Sequence, residues 1–395
     1  MRTLLFTGKG GVGKTTAAAA TATLGARSGM RTLVLSTDAA HSLADAFGVP
    51  VGSDPTEVDD RLHVHQGDAQ GKLEQSWGDI STYLLSVLDA VGVDRIAAEE
   101  LTVLPGAEEV LALLEVRDQA RSGRFDLVVV DCAPTAETLR LLALPEALGW
   151  YMDRLLPMER RMVKVLKPVL TRAAGVPMPT DIVFDAIERL HADLSEVRDL
   201  LTGDDASVRL VLTPEAVVVA EARRSLTSLS LYGYRVDGVI ANRIFPAAGG
   251  DAWRREWVAS QAQILTEVES SFAPLEVWRS AYQPREPVGL AELARFATQL
   301  YASNKTDPLA APTGPHPVEV RRDGDALTLR VSLPFADRGA VDLARHGDEL
   351  VVTVGSYRRL LALPVALRSA RVVAASVRHG ALVVDFVDDD GAPRL

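Results

Sequence analysis

Nine residues near the start of the chain, Gly8-Lys9-Gly10-Gly11-Val12-Gly13-Lys14-Thr15-Thr16, have the types and spacing to hold a phosphate. They fit the loop pattern G-x-x-x-x-G-K-[ST], between an apolar strand-like run, Thr3 to Thr7, and an alanine-rich helical run. Glycines let backbone N–H groups fold around phosphate oxygens without side-chain clashes. The helix that follows points its positive end at the same anion. In that chemistry Lys14 contacts the β- and γ-phosphates and Thr15 ligates Mg²⁺. Lys9 is a second lysine at the loop's mouth, where it could reach a phosphate held by a neighbouring subunit or simply be solvated.

Three further positions extend this chemistry. Asp38, in Ser36-Thr37-Asp38-Ala39-Ala40-His41-Ser42, ends a second apolar run, where a carboxylate orients or deprotonates a water. It equally suits a helix N-cap. Asp131 follows Leu127-Val128-Val129-Val130 in a Walker-B pattern, which binds Mg²⁺ directly or through water; a cap is again the plainer reading. Asn242, in Val239-Ile240-Ala241-Asn242-Arg243, offers a donor and an acceptor to an adenine edge, or forms a turn. The stiff polar segment Gln283-Pro284-Arg285-Glu286-Pro287-Val288-Gly289 closes over a base or merely connects.

These residues must be positioned by short Val/Leu-rich strands. Arg31 to Ser36, Leu62 to Gln66, Phe125 to Val130, Val208 to Thr213, Val236 to Ala241 and Leu275 to Trp278 read as strands separated by helices. That predicts an α/β fold, a doubly wound parallel sheet of the P-loop NTPase type, with ligands at the strands' carboxyl ends. Two mainly helical insertions, about 70–122 and 145–205, read as one helical subdomain of a P-loop domain spanning 1–303. Residues 304–317, rich in Pro, Gly and Ala, read as a linker. Beyond it the pattern has period two, with Leu327, Leu329, Val331 and Leu333, then Leu350, Val352 and Val354, then Leu382, Val384 and Phe386. Asp323-Gly324, His346-Gly347 and His379-Gly380 separate such runs, which predicts an all-β domain over 318–390.

Composition sets limits. The net charge of −11 argues against a nucleic-acid binder, whose surfaces are usually basic. The single cysteine, Cys132, allows no intrachain disulfide and no Cys-x-x-Cys zinc site. With no signal-peptide pattern and no run of about 18 apolar residues, the expected location is cytoplasmic.

The loop K-G-G-V-G-K-T-T, the switch S-T-D-A-A-H-S-L-A-D-A-F from Ser36 to Phe47, D-C-A-P-T-A-E-T-L-R from Asp131 to Arg140, Asn242 and the P-x-E-P-x-G loop occur in order. Together they resemble the arsenite-pump and tail-anchored-protein-targeting ATPases over roughly residues 1–300. The resemblance implies a homodimer in which Lys9 acts across a face-to-face interface, as an arginine finger does. It assigns catalysis to Asp38, Lys9 and Lys14. It assigns ATP contacts to Gly8, Gly10, Gly11, Val12, Gly13, Lys14, Thr15, Thr16, Asn242, Pro284 and Pro287. Mg²⁺ falls to Thr15, Asp38 and Asp131, partly through water. The zinc-binding Cys-x-x-Cys pair of eukaryotic targeting factors is missing, so no zinc is expected. The second switch reads A-P-T-A-E-T where the family usually has A-P-T-G-H-T. The β region, through Gly347 to Val354 and Ala375 to Phe386, resembles a small-heat-shock-protein (α-crystallin) sandwich.

Four of the six methionines cluster at Met152, Met158, Met162 and Met178. Met152, Leu155, Leu156, Met162, Val163 and Leu166 mark a broad apolar helical face, either core packing or an adaptable groove for an apolar helix, whose candidate residues are Met152, Leu155, Leu156, Met158, Met162 and Leu166. The leading expectation is an ATPase whose nucleotide cycle gates that groove for hydrophobic helical clients, with a membrane receptor as a further partner. The alternatives are the ATPase subunit of an arsenite-like anion pump and a nucleotide-switched scaffold dimer. A lone cysteine weighs against thiolate-bound As(III).

Overall fold

The computed structural model describes residues 1–37, 42–52, 54–66, 107–132, 181–302, 306–323 and 326–387. In chain order the first domain contains β1 (Arg2–Thr7), α1 (Lys14–Arg27), β2 (Thr32–Ser36), α2 (Ser42–Phe47), β3 (Thr56–Asp59), β4 (Leu62–Gln66), α3 (Ala107–Arg121) and β5 (Leu127–Asp131). It continues with α4 (Asp181–Thr202), β6 (Ala206–Leu212), α5 (Ala216–Leu231), β7 (Val236–Ile244), α6 (Ala252–Phe272), β8 (Glu276–Ala281) and α7 (Leu290–Leu300). The strands form one eight-stranded sheet in the order β3-β4-β2-β5-β1-β6-β7-β8. All neighbours are parallel except β3 against β4. Strands β1, β2, β5 and β6 are buried along their whole length, which is why they read as unbroken apolar runs. The short edge strand β3 was not expected. It alternates half-buried and exposed residues and returns through Arg61, at φ 61°, with no glycine to announce the turn.

The described ends of both insertions are helical, but they belong to the main core. Leu113, Leu114 and Val116 of α3, with Leu194, Val197 and Leu201 of α4, join the apolar cluster against the sheet. Arg117 pairs with Asp193 at 2.5 Å and Arg121 with Glu196 at 2.6 Å, locking the two helices together. They are the crossover helices that precede β5 and β6. Among the described residues no helix is long and apolar enough to cross a membrane.

One buried ionic cluster lies beneath the sheet. Asp237 accepts hydrogen bonds from Arg209 at 2.8 Å, Arg2 at 3.0 Å and Ser207 at 2.8 Å. Arg209, 1% exposed, also donates to the Tyr301 hydroxyl and the Pro308 carbonyl, both at 2.8 Å. Its guanidinium stacks over Trp278, 4.1 Å from the ring centre. Burial opposes the charge on Arg209, yet Asp237 and Tyr301 hold its pKa above the ordinary value. For Arg2, burial dominates over Asp237 and pulls the pKa down to about 10.

The second domain contains β9 (Val318–Asp323), β10 (Ala326–Ser332), β11 (Val341–His346), β12 (Glu349–Val354), β13 (Tyr357–Ala362), a short helix α8 (Val365–Arg368), β14 (Arg371–Arg378) and β15 (Ala381–Val387). Two antiparallel sheets, β14-β15-β10-β9 and β11-β12-β13, enclose a separate core. The period-two residues all face inward: Leu327, Leu329, Val331, Leu333, Leu350, Val352, Val354, Leu382, Val384 and Phe386 are buried. His379 at φ 47° and Gly380 at φ 67° form the tight connection between β14 and β15.

The two domains are docked. Leu231, the last residue of α5, is fully buried in the sandwich core. Thr227 donates to the Pro334 carbonyl, Arg359 donates to the Leu231 carbonyl, and Phe272 meets Phe335 edge-on at 5.5 Å. The segment expected as a linker is a pinned strap. Its Pro308 carbonyl is held by Arg209, Leu309 is buried, and Arg235 donates to the carbonyls of Pro312 and Gly314.

Replacing Arg209 with Met removes one partner of a buried charge and releases the strap. We expect a loss of about 3 kcal/mol in urea-induced unfolding, with faster proteolysis between residues 302 and 318. A second prediction concerns pH. Hydrogen bonds from Arg31 hold the Asp126 carboxyl below its ordinary 3.8, at about 2. The folded-state value lies below the unfolded one, so this stabilisation is complete above roughly pH 4 and disappears as the pH falls towards about 2. The Asp126→Asn variant should lose less stability than the parent across that window. Added salt should shrink the difference, because the pair is exposed.

Candidate nucleotide site

The site grows from the central position of β1, with β5 on one side and β6 on the other. Register places Phe6 and Ser36 level with Asp131, so the ends of three adjacent strands converge where the glycine loop begins. The Asp131 carbonyl accepts from the Thr37 amide at 2.9 Å, which sets the direction in which the chain leaves β2.

Two loop glycines are required by space as well as conformation. A Cβ at Gly8 would lie 2.1 Å from the Val211 carbonyl oxygen on β6. Gly13 sits at φ 93°, and a Cβ there would lie 2.4 Å from Asn242 Nδ2. On the outer side, Cβ atoms at Gly10 and Gly11 would meet nothing within 4 Å. The loop is thus tight against the sheet and open outward. Helix α1 begins at Gly13 with no side-chain cap and no acidic residue in its first turn. Its first N–H groups and positive dipole end therefore suit a phosphate.

Lys14 is buried, 8% exposed, with Nζ 3.4 Å from the Lys9 carbonyl. Lys9 itself is half-buried at the mouth. Thr15 Oγ1 donates to Asp131 Oδ2 at 2.6 Å. A hydroxyl and a carboxylate in contact supply the hard oxygen donors that Mg²⁺ prefers, so these residues fit a nucleotide-bound magnesium ion.

Beside the loop lies a cavity of about 310 Å³ lined by Gly13, Thr16, Asn242, Arg243, Tyr282 and Pro287 among others. Pro287 lines it; Pro284 does not. Asn242 donates from Nδ2 to the Val12 carbonyl at 2.8 Å, so it buttresses the loop as well as facing the cavity. The amide of Gly289 donates to the Ala46 carbonyl at 2.9 Å, joining the proline loop to α2.

Arg243, Tyr282 and Gln261 were missed by sequence reasoning. Arg243 holds φ 58°, an unusual conformation for an arginine. Buried Gln261 clamps it, donating to the Arg243 carbonyl at 3.2 Å and accepting from the Phe245 amide at 2.8 Å. Tyr282 stacks on Phe245 with ring centres 5.4 Å apart. The only local signal was Arg243's place directly after Asn242. Gln261 lies in a polar helical run with no distinguishing neighbour.

Cys132 is 1% exposed, and burial, reinforced by the charge of Asp131, raises its thiol pKa well above the ordinary value. Asp38 and the groove residues Met152, Leu155, Leu156, Met158, Met162 and Leu166 lie outside the described residues.

The family model described as anion-transporting ATPase matches residues 1–302, and one described as an HSP20-like domain found in ArsA matches residues 323–386. A Chlorobaculum tepidum protein named "Putative arsenical pump-driving ATPase" is 37% identical over 371 residues, 93% of this chain and 91% of that protein. An Aquifex aeolicus protein named "Putative arsenical pump-driving ATPase 1" is 32% identical over 395 residues, covering 97% and 99%. An uncharacterised Streptomyces coelicolor protein is 39% identical over 398 residues, covering 98% of each. With a glycine loop, a Thr15–Asp131 contact and matches of this extent, the chain belongs to the anion-transporting ATPase family, as an ATP-hydrolysing member with an HSP20-like domain behind its catalytic half.

Proposed function

We propose that this ATPase works as a face-to-face homodimer whose Mg²⁺·ATP cycle opens and closes a hydrophobic groove for client proteins carrying an apolar helix, tail-anchored proteins among them. The observation that carries the two-subunit part is the division between the loop's lysines. Lys14 is buried inside the loop, while Lys9 stands at its mouth. A lysine in that outer position suits the phosphates of the opposite subunit, where charge develops during transfer.

The remaining roles follow from the site. Asn242 and Pro287 face the cavity that suits the base. Thr15 and Asp131 hold the oxygen donors for Mg²⁺, which neutralises charge on the phosphates when bound. Asp38 orients the attacking water from just beyond β2. Helix α2, tied to the proline loop through Gly289 and Ala46, links the base to the switch that contains Asp38. The groove rests on the methionine-rich run from Met152 to Leu166, whose flexible thioethers adapt to varied apolar partners. Delivery of such clients calls for a membrane receptor.

The pump-driving names of the relatives suggest a second reading, an anion-export subunit. The arsenic part of it lacks chemical support in this chain. The one cysteine is buried, and its thiol is held in the neutral form, which is a poor ligand for a thiophilic ion.

Complementation between two inactive variants tests the dimer. Lys9→Ala and Asp38→Asn should each lose about 100-fold or more in kcat. Mixed together, they should regain turnover, because each mixed dimer holds one intact site: the Lys9→Ala subunit's own Asp38 with the other subunit's Lys9. If Lys9 acts within its own subunit, the mixture stays inactive. The client part is checked with Asp38→Asn loaded with Mg²⁺·ATP. It should retain a synthetic apolar helical peptide that the nucleotide-free protein releases, and substituting Met152, Met158 and Met162 with Asp should abolish that retention.

A further inference from the structure

Near its carboxyl end β7 carries one residue too many for its neighbour. Ala241 pairs with Arg279 of β8 and Ile244 pairs with Ala281, so Asn242 and Arg243 together stand against Ser280 alone. This is a β-bulge, a device that re-aims side chains beside binding sites. Arg243 takes up the extra length at φ 58°, a left-handed conformation that any residue with a Cβ disfavours. Next to it, Asn242 points Nδ2 at the Val12 carbonyl of the phosphate loop, 2.8 Å away, and lines the cavity beside that loop.

The bulge is held from another element. The buried residues of α6 are Gln261, Leu265, Val268 and Phe272, whose spacing sets them on one helical face. Three are ordinary core residues. Gln261, only 4% exposed, takes a place where leucine or methionine would bury without needing partners. Its amide reaches both sides of the bulge. Nε2 donates to the Arg243 carbonyl at 3.2 Å, and Oε1 accepts from the Phe245 amide at 2.8 Å. The Phe245 ring then stacks on Tyr282, within 3° of parallel, and Tyr282 lines the same cavity as Asn242 and Arg243. One buried side chain thus fixes the backbone behind two parts of the cavity wall, and Gln261 does not line the cavity itself.

We propose that Gln261 is a positioning residue for nucleotide recognition: by holding the bulge it aims the Asn242 amide, and through Phe245 the Tyr282 ring, at the base of ATP. This rests on the reading of the cavity as the base site. The clamp acts on backbone at the end of β7, away from Lys14, Thr15 and Asp131. It therefore bears on the base and leaves the phosphates and the hydrolytic step to the loop. Losing it weakens ATP while sparing a ligand that has the phosphates and no base.

Steady-state ATP hydrolysis by the full chain, with inorganic tripolyphosphate as a competing inhibitor, tests this. Gln261→Met suits the apolar face of α6 but can make neither bond, and should raise KM for ATP about tenfold. Gln261→Leu, a second apolar helix former, should do the same. In both, kcat and the inhibition constant of tripolyphosphate should stay within about twofold of the parent, a split that a general loss of structure does not produce. The left-handed turn supplies a second measurement. Arg243→Ala and Arg243→Gly both remove the guanidinium, but only glycine adopts that turn without help. The KM penalty of Gln261→Met should stay near tenfold, roughly, beside Arg243→Ala and shrink to about threefold or less beside Arg243→Gly. Asn242→Ala separates the inference from the reading beneath it, and should raise KM for ATP with tripolyphosphate inhibition unchanged. An unaltered KM in Asn242→Ala would overturn the base site and the role of Gln261 with it. A raised KM there, with parental KM in Gln261→Met and Gln261→Leu, would overturn the role of Gln261 alone. So would tripolyphosphate weakening in step with ATP, or equal penalties beside alanine and glycine.

Discussion

The half-buried carboxylate of Asp237, shared by the buried Arg2 and Arg209, is the constraint on which the arrangement of this protein depends. A buried ion pair is weak evidence of net stability, since desolvation offsets much of the attraction. Its value here is directional. Having taken Arg209 out of water, the fold must satisfy its donors, and four of the five find partners from separate elements. Asp237 comes from β7, the Tyr301 hydroxyl from just beyond α7, and the Pro308 carbonyl from the strap. Tyr301 is in turn within 2.7 Å of Thr21 on α1, the helix that begins at the phosphate loop. One guanidinium thus registers the sheet, the loop's own helix and the approach to the second domain against each other.

That constraint explains what could and could not be read from residue order. The strands of the parallel sheet were legible because burial on both faces demands unbroken apolar runs, and Leu127 to Val130 can be little else. The sandwich strands were legible for the opposite reason: one face is wet, so Leu327, Leu329 and Val331 alternate with polar residues. Arg209 was not legible. A charged residue between Val208 and Leu210 looks like an interruption, and only its distant partners make it a core residue. The anchoring of the strap was not legible for a related reason. Pro, Gly and Ala give few apolar anchors, and this segment is held through backbone carbonyls, which every residue possesses.

At the site the same division holds. The loop glycines, Lys14, Thr15 and Asp131 were readable because phosphate and magnesium chemistry restrict residue type and spacing together. Asn242 was readable as a polar end to an apolar strand, but its bond to the Val12 carbonyl was not. Gln261 works through a backbone clamp on Arg243, and a clamp of that kind imposes no pattern on its surroundings.

The position of Leu231 has a consequence for how this architecture can change over evolutionary time. The last residue of a catalytic-domain helix fills the interior of the neighbouring sandwich, and Arg359 of that sandwich caps its carbonyl in return. A shortened descendant ending near residue 302 would leave Leu231 facing water at the end of α5 and strip Phe272 of its edge contact with Phe335. It would expose an adhesive patch unless those two positions turned polar. Gain or loss of the β domain is therefore not a clean exchange of modules. It requires compensating replacements inside the ATPase half, and residues 231 and 272 are where such replacements should accumulate.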